Sequence, residues 1–488
     1  MRIVGNNPQL SRQTQGTASG AITGGKPVLV NTDGTVTQIS GSAQTIGSEA
    51  VFESAEANWI NTTFDSSNNK IVISYQDNGN SNYGTAIVAT IDSSDNTISY
   101  GSPVVFNSAA TNQGKITFDS SNNKVVIAYN NGGDSGHGYA IVGTVSGTSI
   151  SFGSAAEFEN AVIGDPAITF DSSNNKVVIA YKDEGNSNYG TAVVATVSGT
   201  SISFGTAVVF NSGTVSETSS TFDSNSNKVV IAYKDGGNSK NGNAIVGTVS
   251  GTGISFGSEA TFDSATINYI SASFDTNSNK VLFAYSRDDN PDGTNNAGFA
   301  VVGTVSSTSI SFGTPTVFNA GSVSTYISGV YDSNAQKIVI AYRDEGNSNY
   351  GTLIIATISG TSVSFGSETV YDEATVLYNQ VVFDSSTNKL LIAYRDNGNS
   401  SYGTARVFAP AVPTNITSEN YIGFAEDTVA TGQPVTINTK GAIDENQSSL
   451  TPAQQYFVQT DGTLGTSADD PSVVAGTAVT ATKLIVKG

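Results

Sequence analysis

Short runs of β-branched and aromatic residues alternate along most of this chain with clusters of Asn, Asp, Gly and Ser. The pattern is clearest in residues 168–210, which read ITFDSSNNKVVIAYKDEGNSNYGTAVVATVSGTSISFGTAVVF. Four apolar runs within 167–210, AITF, KVVIAY, TAVVATV and SISFGTAVVF, predict four strands separated by turns. No segment repeats its apolar residues every 3.6 positions, so the pattern predicts no amphipathic helix.

Copies of this unit run from about residue 46 to residue 408. Each copy carries a Phe-Asp or Tyr-Asp pair, and successive pairs lie 54, 52, 52, 52, 57 and 52 residues apart. The aromatic members of these pairs are Phe64, Phe118, Phe170, Phe222, Phe274, Tyr331 and Phe383. A unit of about 50 residues, made of short strands and repeated four to eight times, is typical of a β-propeller blade.

The two ends of the array predict how it closes. The seventh copy runs into Ala- and Pro-rich sequence at 409–415, where its fourth strand is expected. A surplus strand precedes the first copy, because Ile46 and Phe52 are six residues apart, as are Phe204 and Phe210. Closure by this strand pairs two otherwise open edges. We therefore predict an all-β fold, a seven-bladed β-propeller over residues 42–408 whose N-terminal strand completes the last blade.

The sequence outside the array predicts a second, smaller β-domain. Residues 1–18 are polar, and we expect an arm that becomes ordered only against a partner. Residues 21–36 and 429–443 share a motif, so 19–40 and 412–488 are expected to form one composite domain. The shared positions are Pro27/Pro434, Val28/Val435, Asn31/Asn438, Thr32/Thr439 and Gly34/Gly441, with turn glycines at Gly25/Gly432. Further strands are predicted at 454–460, 475–481 and 483–488, with a hairpin-type turn at 461–462.

Composition narrows the classes of function. Among 488 residues, 21 Lys and Arg face 41 Asp and Glu, a net charge of −20, which repels phosphate backbones and argues against nucleic-acid binding. Cysteine is absent, so neither disulfides nor thiolate metal sites exist. No run approaches 18 apolar residues, and the first residues lack the apolar core of a secretion signal, so membrane insertion is not expected.

The repeat FDSSNNKVVIAYKDxGNSNYGTA, the flanking SGAITGGKPVLVNTDGTV and the closing LTPAQQYFVQTDGTLGTSADDPSVVAGTAVTATKLIVKG resemble virion structural proteins of marine tailed phages. The resemblance covers essentially the whole chain. It implies a location on the virion, as a tail-fibre, head-fibre or decoration component, and it brings no catalytic residues with it.

One aligned position of the repeat gives the candidate site. Propeller ligands usually bind on the face that carries the connections from the outer strand of one blade to the inner strand of the next. These connections vary most among the copies. The position five residues before each Phe-Asp or Tyr-Asp pair is occupied by Trp59, Gln113, Asp165, Glu217, Tyr269, Tyr326 and Tyr378.

Four residues of this set are aromatic, and the other three are polar or acidic. Aromatic faces stack on the C–H patches of sugars while polar groups hold their hydroxyls, so the set predicts glycan binding. The alternative is that the aromatic side chains pack under their own loops or against a neighbouring virion protein. A third reading is a glycan hydrolase that uses Asp165 and Glu217, which lie at aligned positions in adjacent copies.

Other repeated polar residues have simpler interpretations. The Asp of the DxGNSNYG loops, at Asp77, Asp183, Asp344 and Asp396, is expected to cap backbone N–H groups, with calcium binding as the alternative. The Asp of each Phe-Asp or Tyr-Asp pair precedes a Lys by five residues, and we interpret it as a turn-capping residue. His137 stands where other copies have Tyr, and we interpret it as a substituted repeat position. The sequence predicts no metal site, no cofactor and no catalytic residue.

Together with these patterns, the resemblance to phage virion proteins implies a non-enzymatic virion protein that is present in many copies on an extracellular particle. The composite end domain is expected to contact other virion proteins, and the propeller to engage host surface polysaccharide. The alternative is a purely architectural subunit that packs against other virion proteins.

Overall fold

A computed structural model describes residues 12–39, 44–288, 296–411, 416–417, 419–459, 461–468 and 472–487. The described chain is all-β with antiparallel sheets, which confirms the predicted class. It contains no α-helix, and nothing in it is a helix long and apolar enough to cross a membrane. Five single-turn 3₁₀ helices are present, at Asn78–Asn80, Gly132–Asp134, Glu184–Asn186, Glu345–Asn347 and Asn397–Asn399.

The strands before the repeats are β1 Gln13–Thr17, β2 Pro27–Val30, β3 Val36–Gln38 and β4 Thr45–Ile46. The strands of the repeats are β5 Ala50–Asp65, β6 Lys70–Asp77, β7 Tyr83–Ile91, β8 Ile98–Tyr100, β9 Val104–Asp119, β10 Lys124–Asn131, β11 His137–Ser146, β12 Ser149–Phe152, β13 Ala156–Asp171, β14 Lys176–Asp183, β15 Tyr189–Ser198, β16 Ser201–Phe204, β17 Val208–Asp223, β18 Lys228–Asp235, β19 Asn241–Ser250, β20 Gly253–Phe256, β21 Ala260–Asp263, β22 Ile267–Asp275, β23 Lys280–Arg287, β24 Ala297–Ser306, β25 Ser309–Phe312, β26 Thr316–Asp332, β27 Lys337–Asp344, β28 Tyr350–Ser359, β29 Ser362–Phe365, β30 Thr369–Asp384, β31 Lys389–Asp396 and β32 Tyr402–Ala409. The strands after the repeats are β33 Tyr421–Ala425, β34 Pro434–Asn438, β35 Ile443–Asp444, β36 Gln455–Val458, β37 Leu464–Gly465, β38 Val473–Thr480 and β39 Lys483–Val486.

The chain divides into two compact units. One contains Met1–Thr45 together with Pro410–Gly488, and the other contains Ile46–Ala409. The end unit is therefore built from both chain ends, and the repeat unit is one continuous segment.

The repeat unit consists of similar antiparallel sheets, one for each copy of the repeat. In the third sheet, the second half of β13 pairs with β14, β14 with β15, and β15 with both β16 and the first half of β17. The fourth strand of each sheet is thus formed by a short strand and the beginning of the next long one. We call the strand that starts each sheet its first strand.

The expected loops between the fourth strand of one sheet and the first strand of the next are absent from most of the repeat unit, so this part of the prediction is wrong. β5, β9, β13, β17, β26 and β30 each run through the connection as one strand of 16 or 17 residues. Only between β21 and β22 is the strand interrupted, at residues 264–266. A strand that changes its pairing partner keeps its backbone hydrogen-bonded without a loop.

The last repeat strand pairs with the first. Ala405 of β32 lies opposite Ala50 of β5, and Thr404 lies opposite Val51. Phe52, the aromatic residue of this segment, is buried.

The hydrophobic core of the repeat unit lies between the faces of neighbouring sheets. Val178 and Ala180 of β14, for example, pack with Val229, Ile231 and Tyr233 of β18. Because both faces of the central strands are covered, these strands read as continuous apolar runs such as KVVIAY.

The described residues of the end unit form two sheets, in the orders β1-β34-β33-β2-β3 and β35-β39-β38-β36-β37. Both copies of the duplicated motif form a strand that begins at its proline, and the turn glycines Gly25 and Gly432 have φ of 78° and 79°. The predicted arm is wrong for residues 13–17, because β1 pairs with β34 along its whole length. Four polar side chains and a glycine do not prevent pairing, since an edge strand is held by its backbone. Residues 1–11 of the predicted arm lie outside the described residues.

Candidate functional site

The seven aligned residues meet in one pocket of the repeat unit. A cavity of about 330 Å³ is lined by all of them, each half-buried: Trp59, Gln113, Asp165, Glu217, Tyr269, Tyr326 and Tyr378. They come from the first strands of seven successive sheets, so residues up to 319 positions apart in the chain share one surface. The alignment of the repeats therefore located a real concave surface, although it lies within strands and not on loops.

The backbone at these positions explains how strands present the side chains. All seven residues have positive φ, between 45° and 54°. The ladder shifts register at the same place, for example between Gly164 and Ala167 in β13. A bulge of this kind bends a strand and redirects a side chain. Large residues such as Trp59 rarely adopt a positive φ, yet the residue at this position does so in all seven copies. The backbone strain is therefore a feature of the repeat that forms the pocket, and not of one residue.

Four aromatic rings form a continuous arc along one side of the pocket. The ring centroids of Trp59 and Tyr378 are 5.2 Å apart, those of Tyr378 and Tyr326 are 5.2 Å apart, and those of Tyr326 and Tyr269 are 5.4 Å apart. Successive rings are tilted or edge-on to one another. Such contacts stabilise the arc and hold its geometry.

Two arginines stack on this arc. The guanidinium carbons of Arg343 and Arg395 lie 5.2 Å and 5.4 Å from the ring centroids of Tyr326 and Tyr378. Arg395 is held in turn by Glu56, at 2.8 Å. The stacking covers part of the ring surface, so a ligand has access to less of Tyr326 and Tyr378 than their sequence positions alone imply.

The other side of the pocket is acidic. Gln113 accepts a hydrogen bond from the backbone N–H of Asp165 at 2.9 Å, and Glu217 accepts one from the backbone N–H of Tyr269 at 3.1 Å. Burial raises the pKa of the Glu217 carboxyl, and the neighbouring Asp165 carboxylate raises it further. Two carboxyl groups in adjacent sheets thus share one part of the pocket.

A lysine that the sequence analysis missed completes this acidic side. Lys115 also lines the cavity, two residues after Gln113. Burial lowers the pKa of its ammonium group, while Asp165 and Glu217 act in the opposite direction. The sequence does distinguish this residue. The other six copies have Asn, Ala, Ser or Gln at the aligned position, and only the second copy has a charged residue there.

Serines at the same aligned position connect neighbouring first strands. Ser219 Oγ accepts a hydrogen bond from the backbone N–H of Ala272 at 3.0 Å, and Ser271 Oγ accepts one from Gly329 at 2.9 Å. Ser328 repeats the contact with Val381 at 3.2 Å. These side chains therefore join strands that share no backbone ladder, and sequence reasoning did not identify them.

The predicted turn-capping roles are confirmed. Asp183 precedes a 3₁₀ turn and accepts a hydrogen bond from the backbone N–H of Asn186 at 3.0 Å. Asp77, Asp344 and Asp396 also accept from backbone N–H groups in their turns. The seven pair aspartates do the same in their hairpins, namely Asp65, Asp119, Asp171, Asp223, Asp275, Asp332 and Asp384. Their carboxylates are thus occupied by local backbone donors.

Comparison with protein-family models and with curated proteins gave no match. Among solved structures, a protein of unknown function from Dyadobacter fermentans DSM 18053 is 11% identical, with a TM-score of 0.43, over 75% of this chain and 99% of its own. A leech intramolecular trans-sialidase, complexed with 2,7-anhydro-Neu5Ac, is 7% identical, with a TM-score of 0.43, over 75% of this chain and 70% of its own.

Proposed function

We propose that the repeat unit is a closed seven-bladed β-propeller that binds a glycan in the pocket between its first strands. The supporting observation is the convergence of all seven aligned residues on one cavity of about 330 Å³. Pairing of β32 with β5 supports the closure, because it leaves the last sheet with a fourth strand taken from the other end of the array. One sugar residue with part of its neighbours fits a cavity of this size.

The chemistry of the pocket supports a sugar over an apolar ligand. The arc from Trp59 to Tyr269 offers ring edges and partial faces to C–H groups, and Gln113, Asp165 and Glu217 offer hydrogen-bond acceptors to hydroxyls. A sugar has both apolar C–H patches and polar hydroxyl groups. It therefore requires a cavity that has one apolar side and one polar side.

We further propose that the protein is a non-enzymatic component of a phage virion, displayed in many copies to hold host surface polysaccharide. Repetition on a particle converts weak individual contacts into useful avidity. The end unit, with its own two sheets and core, serves in this proposal as the attachment to other virion proteins. If the pocket binds no glycan, the remaining proposal is a purely architectural virion subunit.

The test is a glycan array and a host-cell binding assay with the full chain and a Tyr326→Ala/Tyr378→Ala variant. The variant removes two rings of the arc and is expected to lose about 5- to 150-fold in affinity, since each stacked ring contributes about 0.5–1.5 kcal/mol. A Tyr189→Ala/Tyr402→Ala variant is the matched control, because it removes two half-buried tyrosines that begin strands β15 and β32 and lie outside the pocket. Binding that is absent in all three proteins, or equal in all three, contradicts the proposal.

Glycoside hydrolysis is the second candidate, and one observation favours it. The pKa of Glu217 is raised beside Asp165, as in sites where one carboxyl group donates a proton while the other is ionised. Any glycan that the array identifies is incubated with the protein and analysed for cleavage products. Cleavage that a Glu217→Gln variant abolishes replaces the binding proposal with the hydrolase, and the expected result is no cleavage.

A further inference from the structure

The chain's single histidine lies between two carboxylates in the second sheet. His137 Nδ1 is 2.8 Å from Glu157 Oε1 and 3.8 Å from Asp134 Oδ2. One ligand atom from each of the three side chains lies within 4.8 Å of the other two. The side chains are 24%, 47% and 39% exposed for His137, Asp134 and Glu157, so they are free to adjust and are open to solvent.

The sister repeats provide an internal comparison for this cluster. Where the second repeat has His137, the others have Tyr83, Tyr189, Asn241, Ala297, Tyr350 and Tyr402. Where it has Glu157, the others have Val51, Val105, Val209, Thr261, Val317 and Val370. Where it has Asp134, five others have Asn80, Asn186, Asn238, Asn347 and Asn399. Three metal-ligating residue types thus appear together in one repeat, and at none of these sister positions.

No cation of the protein neutralises this cluster within the described residues, because neither carboxylate has a Lys or Arg nitrogen within 4.0 Å. The cluster of Glu49, Asp372 and Asp396 differs in this respect. There, Arg406 lies 2.6 Å from Glu49 and 3.5 Å from Asp372, so a guanidinium supplies the positive charge. The cluster at His137 has two carboxylates, Asp134 and Glu157, and no guanidinium beside them among the described residues.

We propose that Asp134, His137 and Glu157 bind a divalent transition-metal ion of the Zn²⁺ class. One imidazole nitrogen and two carboxylate oxygens are a ligand set that suits zinc and its neighbours, while an imidazole disfavours calcium and magnesium. Zinc ligands lie about 2.0–2.2 Å from the ion, so the three atoms need only small side-chain movements to surround it. The three side chains leave a coordination position for water or for a group on a partner.

A neighbouring phenol positions one of these ligands. Tyr139 donates a hydrogen bond to Asp134 Oδ2 at 2.6 Å, and the other repeats have Thr, Asn or Phe at its position. Hydrogen bonds of this kind orient carboxylate ligands, and their removal typically costs 10–100-fold in metal affinity. Tyr139 is therefore a positioning residue of the proposed site. The site lies outside the pocket lined by Trp59 and Tyr378, so it is independent of the proposed glycan binding.

The test titrates the untagged full-length protein, first stripped with a chelator, with ZnCl₂ in a calorimeter and with CoCl₂ under visible absorption. We expect saturable 1:1 binding, a cobalt d–d absorption band, and no comparable response to CaCl₂. The variants His137→Tyr, Glu157→Val and Asp134→Asn each restore a residue that sister repeats carry, so they are expected to fold. His137→Tyr should abolish saturable binding, and Tyr139→Phe should weaken it about tenfold or more.

The third repeat offers a matched gain of function. Asn186→Asp, Tyr189→His and Val209→Glu place the same three side chains at the same spacings. The stoichiometry of zinc binding should rise from one to two, while Tyr189→His alone should leave it at one. A wild-type protein without saturable binding, or binding that survives His137→Tyr, overturns the proposal and leaves a simple His–Glu contact. A stoichiometry that stays at one in the triple variant contradicts these three side chains as the ligand set.

Discussion

At the scale of single residues, the most regular polar feature of the repeat unit is a buried tyrosine in the second strand of every sheet. These residues are Tyr75, Tyr129, Tyr181, Tyr233, Tyr285, Tyr342 and Tyr394, each at most 2% exposed. Six of them donate a hydrogen bond of 2.6–3.0 Å to Glu53, Glu159, Glu259, Asp263, Glu368 or Asp372. Burial raises the pKa of the Tyr285 phenol well above its usual value, so it remains a donor. Each of these buried hydroxyls is thus satisfied by a carboxylate, and in two of the six pairs the carboxylate, Asp263 or Asp372, is buried as well.

We predict that Tyr285→Phe lowers the free energy of unfolding by about 1–3 kcal/mol, because it leaves the buried Asp263 carboxylate without this donor. Urea denaturation followed by fluorescence measures the change. Tyr129→Phe is the matched control, since the Tyr129 hydroxyl makes no hydrogen bond among the described residues and the ring is equally buried. Equal losses in the two variants would show that removal of a buried hydroxyl, and not the loss of its hydrogen bond to Asp263, accounts for the change.

At the scale of elements, the long strands carry the architecture of the pocket. Each one serves as the fourth strand of one sheet and the first strand of the next, and the positive-φ bulge lies just after this change of partner. The side chain at the bulge then points into the cavity. Serines two residues later connect neighbouring first strands, which have no shared ladder.

The serine contact between neighbouring sheets gives a second prediction. Ser271→Ala removes the acceptor of the Gly329 backbone N–H and should cost about 1 kcal/mol, which speeds hydrogen exchange of that amide roughly fivefold. Exchange measured by NMR or by mass spectrometry of the peptide around Gly329 checks it. Ser255→Ala, an exposed serine of a fourth strand, is the control and should leave that amide unchanged.

At the scale of the whole molecule, the pairing of β5 with β32 joins residues near opposite ends of the array. The segment that does this is short, from Ile46 to about Glu56, yet it contains the buried Phe52 and the buried Ala57 follows it. An unpaired edge strand at β32 would expose backbone donors and acceptors that promote self-association.

Two truncated proteins test this role. A chain of residues 46–409 retains the pairing and should unfold cooperatively as a monomer, because it is one compact unit. A chain of residues 57–409 loses the partner of β32 and should self-associate or melt at a lower temperature. Light scattering and thermal denaturation distinguish them. Two monomers of equal stability would contradict a stabilising role for the segment.

Some features of this fold could be predicted from the sequence and others could not, for physical reasons. The strand boundaries around KVVIAY and the caps at Asp171 and Asp183 were predictable, because local turn chemistry and β-branched runs act over a few residues. The strand β1 was not, because its pairing is made by backbone groups that polar side chains do not reveal. The continuous connections were missed because variable, polar residues resemble loops when their backbone partners are unknown.

The sequence by itself determined the repeat, the all-β class and the seven aligned positions of the candidate site, because a repeated structural unit leaves its period in the order of residues. Only the tertiary structure decided that Trp59 and Tyr378 touch, that Arg343 and Arg395 cover part of the arc, and that Asp134, His137 and Glu157 meet. These contacts depend on bulges, on strand register and on the distance between sheets. Such quantities arise from packing among residues far apart in the chain, so no local pattern encodes them.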